Sequence, residues 1–192
     1  MIRIVKTFRN VTIVILMMAW VQGYAQKTYV LAPDNQLKLE GTSTIHDWEM
    51  VSANAVGISQ ITIGSDKIVN IKSLKFSFPV ITLKSGKTSM DNNAYKALDE
   101  KQYPKVYFEL VEVESIIDQM IKAKGNLTIS GNSSTVSLDV SYKVSENVVW
   151  FTGSIPITFT QFKIDPPKAL FGSIKTGNDL IISFNTAFKA KN

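Results

Sequence analysis

From residue 28 onward the chain alternates between apolar and polar positions with a period of two. In IKAKGNLTIS, residues 121 to 130, Ile121, Ala123, Gly125, Leu127 and Ile129 fall on one face. Lys122, Lys124, Asn126, Thr128 and Ser130 fall on the other. STVSLDVSYKV continues the pattern, with Val136, Leu138, Val140, Tyr142 and Val144 on the apolar face. Gly131-Asn132 lies between the two runs and predicts a hairpin. LIISFNTAFK puts Leu180, Ile182, Phe184, Thr186 and Phe188 together. Side chains of a strand alternate between its two faces, so each run reads as a half-buried antiparallel strand.

Other strands are less regular. NIKSLKFSFPV alternates through Leu74, Phe76, Phe78 and Val80, and Pro79 places an edge, a bulge or a strand end there. VVWFTGSIPITFTQF is long, with bends expected at Gly153 and Pro156. WEMVSANAVGISQITIG reads as one long strand or two short ones. SMDNNAYKALDEKQYP is the only helical stretch: Asp91 or Ser89 is the expected N-cap, Ala94, Tyr95, Ala97 and Leu98 favour the helix, and Pro104 follows its end. The pattern predicts an all-β domain of about eight strands with one short helix, a sandwich or an antiparallel barrel. A closed barrel has no exposed sheet edges, and one of about eight strands can enclose a single small ligand.

Composition narrows this further. The chain has 192 residues, 45% hydrophobic and 19% charged, which suits one domain with a sizeable core. Residues 1 to 25 read as a secretory signal peptide: Arg3, Lys6 and Arg9, then the apolar run VTIVILMMAWV at 11 to 21, then small residues before a cleavage point after Ala25. The run is short for a membrane span. Cleavage removes three bases and no acid, taking the net charge from +5 to +2, which gives no reason to expect a nucleic-acid partner. The expected mature domain is residues 26 to 192, with no further span. There is no cysteine, so disulfides, thiolate ligands and a lipid-modified cysteine are excluded. The expected location is the bacterial periplasm.

Several stretches taken together resemble the YceI-like proteins. They are GTSTIHDWEM; LKFSFPVITLKSGKTSMDNNAYKALDEKQYPKVYFELVEV; IKAKGNLTISGNSSTVSLDVSYKV; and FKIDPPKALFGSIKTGNDLIISFNTAF. The order of parts carries the resemblance. A strand leads to a helix with Met90, Asp91, Leu98 and Tyr103-Pro104. A strand opening with Val106-Tyr107-Phe108 follows, and then the Gly-Asn-Leu-Thr-Ile-Ser-Gly hairpin. GTSTIHDWEM departs from the longer, more aromatic opening of the polyisoprenoid-binding members, so the chain resembles a divergent branch. The resemblance implies an elongated lipocalin-like barrel with an apolar tunnel, an isoprenoid or fatty lipid tail inside it and the head group near one mouth. It implies a binding protein rather than an enzyme.

His46 is the only histidine. A catalytic base needs a nucleophile and an orienting acid within reach, and Asp47 would point to the other face if the pair lay on a strand. A zinc site lacks a second histidine and any thiolate. No catalytic residue, metal or cofactor is therefore assigned. His46 reads as a structural turn residue or as a contact at a ligand head group. Trp48 and Trp150 either line a tunnel or pack in a core, and the same alternatives hold for Phe76, Phe78, Phe108, Phe151, Phe159 and Phe184. KSGKTS lacks the first glycine of a phosphate loop, since Ile81 stands there, so Lys84 and Lys87 read as rim residues. Glu109, Glu112 and Glu114 read as a solvated strand face. DPPKALFGSIKTGND, 165 to 179, either covers a barrel mouth or is a plain surface connection.

The expected function is non-catalytic binding of an apolar amphiphile by a monomer or homodimer. The alternatives are a filled-barrel structural or interaction module and, from a different class, a hydrolase or isomerase acting on a lipophilic substrate.

Overall fold

The computed structural model describes residues 26–33 and 35–191. The signal-peptide reading of residues 1 to 25 lies outside them. The strands are β1 (Gln26–Leu31), β2 (Gln36–Ser43), β3 (Trp48–Ser52), β4 (Val56–Gly64), β5 (Lys67–Pro79), β6 (Lys105–Ile117), β7 (Met120–Ile129), β8 (Asn132–Ser145), β9 (Val148–Thr158), β10 (Lys168–Ala169) and β11 (Ile174–Ala190). Helix α1 (Thr88–Ala97) stands between β5 and β6.

The first four strands are two long strands, each broken once. β1 pairs with the end of β11, from Leu31 opposite Phe188 to Tyr29 opposite Ala190. β2 pairs with the stretch before it, down to Ser43 opposite Thr176. β3 and β4 follow the same division along β2 and β1. Counted this way, eight antiparallel strands close into a barrel, with β10 as a short arm on β11. Asn35 sits at the break, only 4% exposed. Its Nδ2 donates to Ala32 O at 2.9 Å and Pro33 O at 3.1 Å, and its Oδ1 accepts from Ala55 N at 3.3 Å. One buried amide thus satisfies backbone groups of both interrupted strands, which would otherwise carry a desolvation penalty.

The predicted inward faces of β7, β8 and β11 are the observed ones. Ile121, Ala123, Leu127 and Ile129 are buried, as are Val136, Leu138, Val140 and Tyr142 of β8, with Leu138 and Val140 directly opposite Ala123 and Ile121. The hairpin between β7 and β8 is shifted by one residue from the expected one. Ser130 and Gly131 form the turn, with φ 47° and 73°, and Asn132 already pairs with Ile129. A two-residue turn of this type needs positive φ at both centres, and glycine meets that need at the second without strain. Pro79 closes β5. Pro156 lies within β9 beyond Ser154, the last residue there to pair with β8. A proline is tolerated where one side of the ladder is empty.

α1 lies over part of one end of the barrel. Neither Ser89 nor Asp91 is its N-cap: the cap is Lys87, which provides no side-chain hydrogen bond. Asp91 lies in the first turn and reaches back instead, accepting from Ser85 N at 2.8 Å and Ser85 Oγ at 2.6 Å. Burial pushes the Asp91 carboxyl up, but the two Ser85 bonds and the Lys84 charge outweigh it and hold it below the ordinary value. Tyr95 Oη lies 2.9 Å from Ile81 O and 2.7 Å from Leu83 O, and accepts from Lys84 Nζ at 2.6 Å. That last bond, opposed by desolvation, raises the Lys84 ammonium. Lys84 and Val51 exchange backbone hydrogen bonds, both 2.9 Å. This cluster latches α1 to β3 and to the turn after β5.

Candidate functional site: the barrel lumen

Two chambers lie along the barrel axis. The outer one, under α1, has a volume of about 270 Å³. The inner one has about 120 Å³. Leu37, Phe78, Val106 and Ile182 border both and form the constriction between them. Beyond the inner chamber the barrel is filled. Phe151 and Phe188 meet edge to face at 5.7 Å and form its floor. Tyr29, Ile61, Ile68 and Val149, all at most 4% exposed, pack behind them.

The chambers exist because several aromatic rings lie against glycines of the wall. A Cβ on Gly41 would collide with the Trp48 ring, and one on Gly125 with the Phe108 ring. At Gly153 it would stand 2.8 Å from Phe184, and at Gly57 3.1 Å from Phe188. A ring that occupies the space of a missing side chain leaves the axis open. Glycines facing inward in the alternation therefore hold volume for a guest, and rings cover the weakened wall.

Seven of the eight residues singled out from the sequence face this lumen. His46, Trp48, Phe78 and Phe159 border the outer chamber. Phe76, Phe78, Phe108 and Phe184 border the inner one. Trp150 is the exception and corrects the expectation: it points outward, between buried Val149 and Phe151. The run Val148-Val149-Trp150-Phe151 is apolar on both faces, so its alternation gives no phase. The sequence reading did not assign the helix to the lumen. Met90, Ala94, Ala97 and Leu98 border the outer chamber. Their spacing of four, seven and eight residues is that of one helix face and was available as a signal.

The two chambers differ in chemistry. The inner one is lined almost wholly by apolar side chains, and the Thr186 hydroxyl there donates to Phe151 O at 3.4 Å. The outer one has polar groups at its rim, among them His46, Lys87, Ser89, Asn93 and Thr176. His46 lies in a turn, not on a strand. Its Nδ1 is 2.8 Å from the carbonyl oxygen of Asp47, so the Asp47 backbone rather than its carboxylate orients the ring. Ser43 Oγ donates to His46 O at 2.7 Å and fixes the turn. Among the described residues no three His, Cys, Asp or Glu side chains converge as a metal site. No helix among them is long and apolar enough to cross a membrane. Glu109 and Glu114 face outward, paired with Lys75 at 2.8 Å and Lys124 at 2.6 Å.

A model described as YceI-like domain matches residues 24–188. The chain belongs to the YceI-like family. Solved structures with the same fold include BcnA of Burkholderia cenocepacia, with a TM-score of 0.67 and 17% identity over 80% of this chain and 95% of that one. A polyisoprenoid binding domain from Saccharophagus degradans, implicated in plant cell wall breakdown, has a TM-score of 0.64 and 10% identity over 87% and 100%. The Campylobacter jejuni YCEI protein has 0.55 and 19% over 71% and 81%. Among curated proteins no sequence matches this chain. At these identities the neighbours establish the YceI-like fold. The lumen of this YceI-like chain speaks through its own residues.

Proposed function

We propose that this chain is a non-catalytic carrier that binds an isoprenoid or fatty amphiphile in its barrel, for transport, storage or sequestration in the periplasm. One observation carries the reading: two apolar chambers in line, filled beyond the inner one, with the charged and most of the polar side chains at the outer one. That polarity gradient matches a molecule with an apolar tail and a polar head. The family membership and the polyisoprenoid-binding neighbour support the same reading.

Energetics agree. Each buried methylene contributes about 0.8 kcal/mol, so a tail of about fifteen carbons contributes about 12 kcal/mol. Association costs offset at least about 4 kcal/mol of that. The remaining ~8 kcal/mol corresponds to roughly micromolar affinity. Methylenes are recognised mainly by fit, so the lumen sets chain length and the rim sets head-group preference.

The test is equilibrium titration with a fluorescent fatty acid and a fluorescent prenyl alcohol. Saturable binding at one site, weakened by Phe184→Asp in a variant with unchanged circular dichroism, is the expected result. No saturable binding of either probe overturns the carrier and favours a filled-barrel interaction module.

A further inference from the structure

One exposed apolar side chain stands on the rim of the outer chamber and a second beside it, at the tip of a hairpin whose Ala169 and Ile174 border that chamber. Ile45, 61% exposed, stands in the turn between β2 and β3. Phe171, fully exposed, stands at the tip of the β10–β11 hairpin. The two elements are tied together: Thr44 N donates to Lys175 O at 3.0 Å, and Lys175 N to Thr44 Oγ1 at 3.2 Å. Phe171 also has φ 54° and ψ 31°, a left-handed conformation that bulky residues rarely adopt. Folding alone favours glycine or asparagine at such a tip.

Charge points the same way. Lys168 and Lys175 are direct cross-strand partners in the hairpin. Both are exposed, and neither forms an ion pair among the described residues. Like charges directly opposite each other repel. From Asp165 to Asp179 the two acids stand at the base of the segment and the two lysines nearer its tip. Lys87 borders the same mouth from α1, and Asp47 is the acid of the adjoining turn. Exposed apolar tips flanked by unpaired lysines match a surface of anionic head groups over hydrocarbon, where the ring inserts and the ammonium groups stay among the phosphates.

We propose that Ile45, Phe171, Lys168 and Lys175 form a docking surface for an anionic lipid bilayer, which seats the open end of the lumen on the membrane. This rests on the carrier reading: an apolar amphiphile resides in a bilayer, and docking there lets its tail enter the lumen without crossing water. Pro167, Ala169, Ile174 and Thr176 face the outer chamber, so Lys168 and Lys175 stand on the outer face of the hairpin beside the mouth. An exposed ring beside two unpaired ammonium groups fits a bilayer of anionic head groups better than a protein partner.

The test is co-sedimentation with vesicles of phosphatidylcholine plus phosphatidylglycerol, and of phosphatidylcholine alone. The chain is used without residues 1 to 25, whose apolar run would itself bind vesicles. The closed barrel lies wholly after them. The wild type should sediment with the anionic vesicles, less with the neutral ones, and less as salt is raised. Phe171→Ser should weaken partitioning about tenfold. Lys168→Glu with Lys175→Glu should weaken it at least as much. All sites are exposed, so circular dichroism should be unchanged. A wild type that stays in the supernatant overturns the proposal, as do both variants sedimenting like the wild type, whether or not a protein is found to bind there. Uptake of a fatty acid delivered from cyclodextrin, measured in parallel, separates the two readings. Uptake without vesicle binding overturns docking alone, and vesicle binding without uptake overturns the carrier alone.

Discussion

The two ends of the barrel are built from similar strands and are put to different uses. At the inner end Tyr29, Ile61, Ile68 and Val149 fill the axis and border neither chamber. At the outer end the same alternation of inward residues leaves about 270 Å³ empty under α1. The difference lies in what closes each end. The inner end is closed by side chains contributed from all round the wall, so burial there stabilises the fold directly. The outer end is covered by a helix held by the Asp91–Ser85 and Tyr95 latch, and the wall residues need not meet. A barrel that can fill one end completely has the stability to keep a cavity at the other.

The largest expected effect tests that division. Phe188→Ala at the inner end should cost about 3–5 kcal/mol in urea unfolding, since it removes a buried ring that contacts Phe151 and covers Gly57. Met90→Ala at the outer end should cost about 1 kcal/mol or less, because that side chain is half-buried against a void. Equal costs would break the comparison. Next comes the constriction. Val106→Trp should lower affinity for long-tailed amphiphiles at least about tenfold, the worth of roughly two methylenes, and leave short-tailed ones unchanged. Long-chain titrations that match the wild type would dissolve the two-chamber description.

The latch provides a smaller, pH-dependent effect. The folded Asp91 carboxyl is held below its ordinary value of 3.8. Its contribution is therefore fully present above that value and is lost as pH falls through the lower, folded one. Stability measured below pH 3.8 should decline more in the wild type than in Asp91→Asn. Parallel curves would remove Asp91 from the latch. Smallest of all is Trp150→Ser, which should leave uptake unchanged and stability within about 0.5 kcal/mol, because the ring lies outside. Reduced uptake by a folded variant would return Trp150 to the lumen.

How much was legible in the chain follows from where alternation is clean. In residues 121 to 144 and 180 to 188 one face meets water, so polarity reports the phase and the inward residues could be named. Trp150 could not be placed, because its neighbours are apolar on both faces. β6 hides its phase differently: bulges between Leu110 and Glu112 and between Val113 and Ser115 each reverse the alternation. The first lets Glu109 and Glu112 face the same way despite an odd spacing. Asn35 shows no signal as a single polar residue in a short loop. Its role appears only when Ala55, twenty residues away, is brought beside it. The mouth was half visible. His46 and the 165 to 179 segment drew notice, but the turn and the hairpin meet only through the pairing of β2 with β11.

The most direct measurement of the central claim is native mass spectrometry of the chain exported by a bacterial host, followed by organic extraction. The account predicts an excess mass that passes into the solvent and is identified as a prenyl or acyl lipid, together with an N-terminus at Gln26. A bare mass, with no uptake of added prenyl or fatty lipids, would contradict it and leave the lumen as an unoccupied feature of the fold.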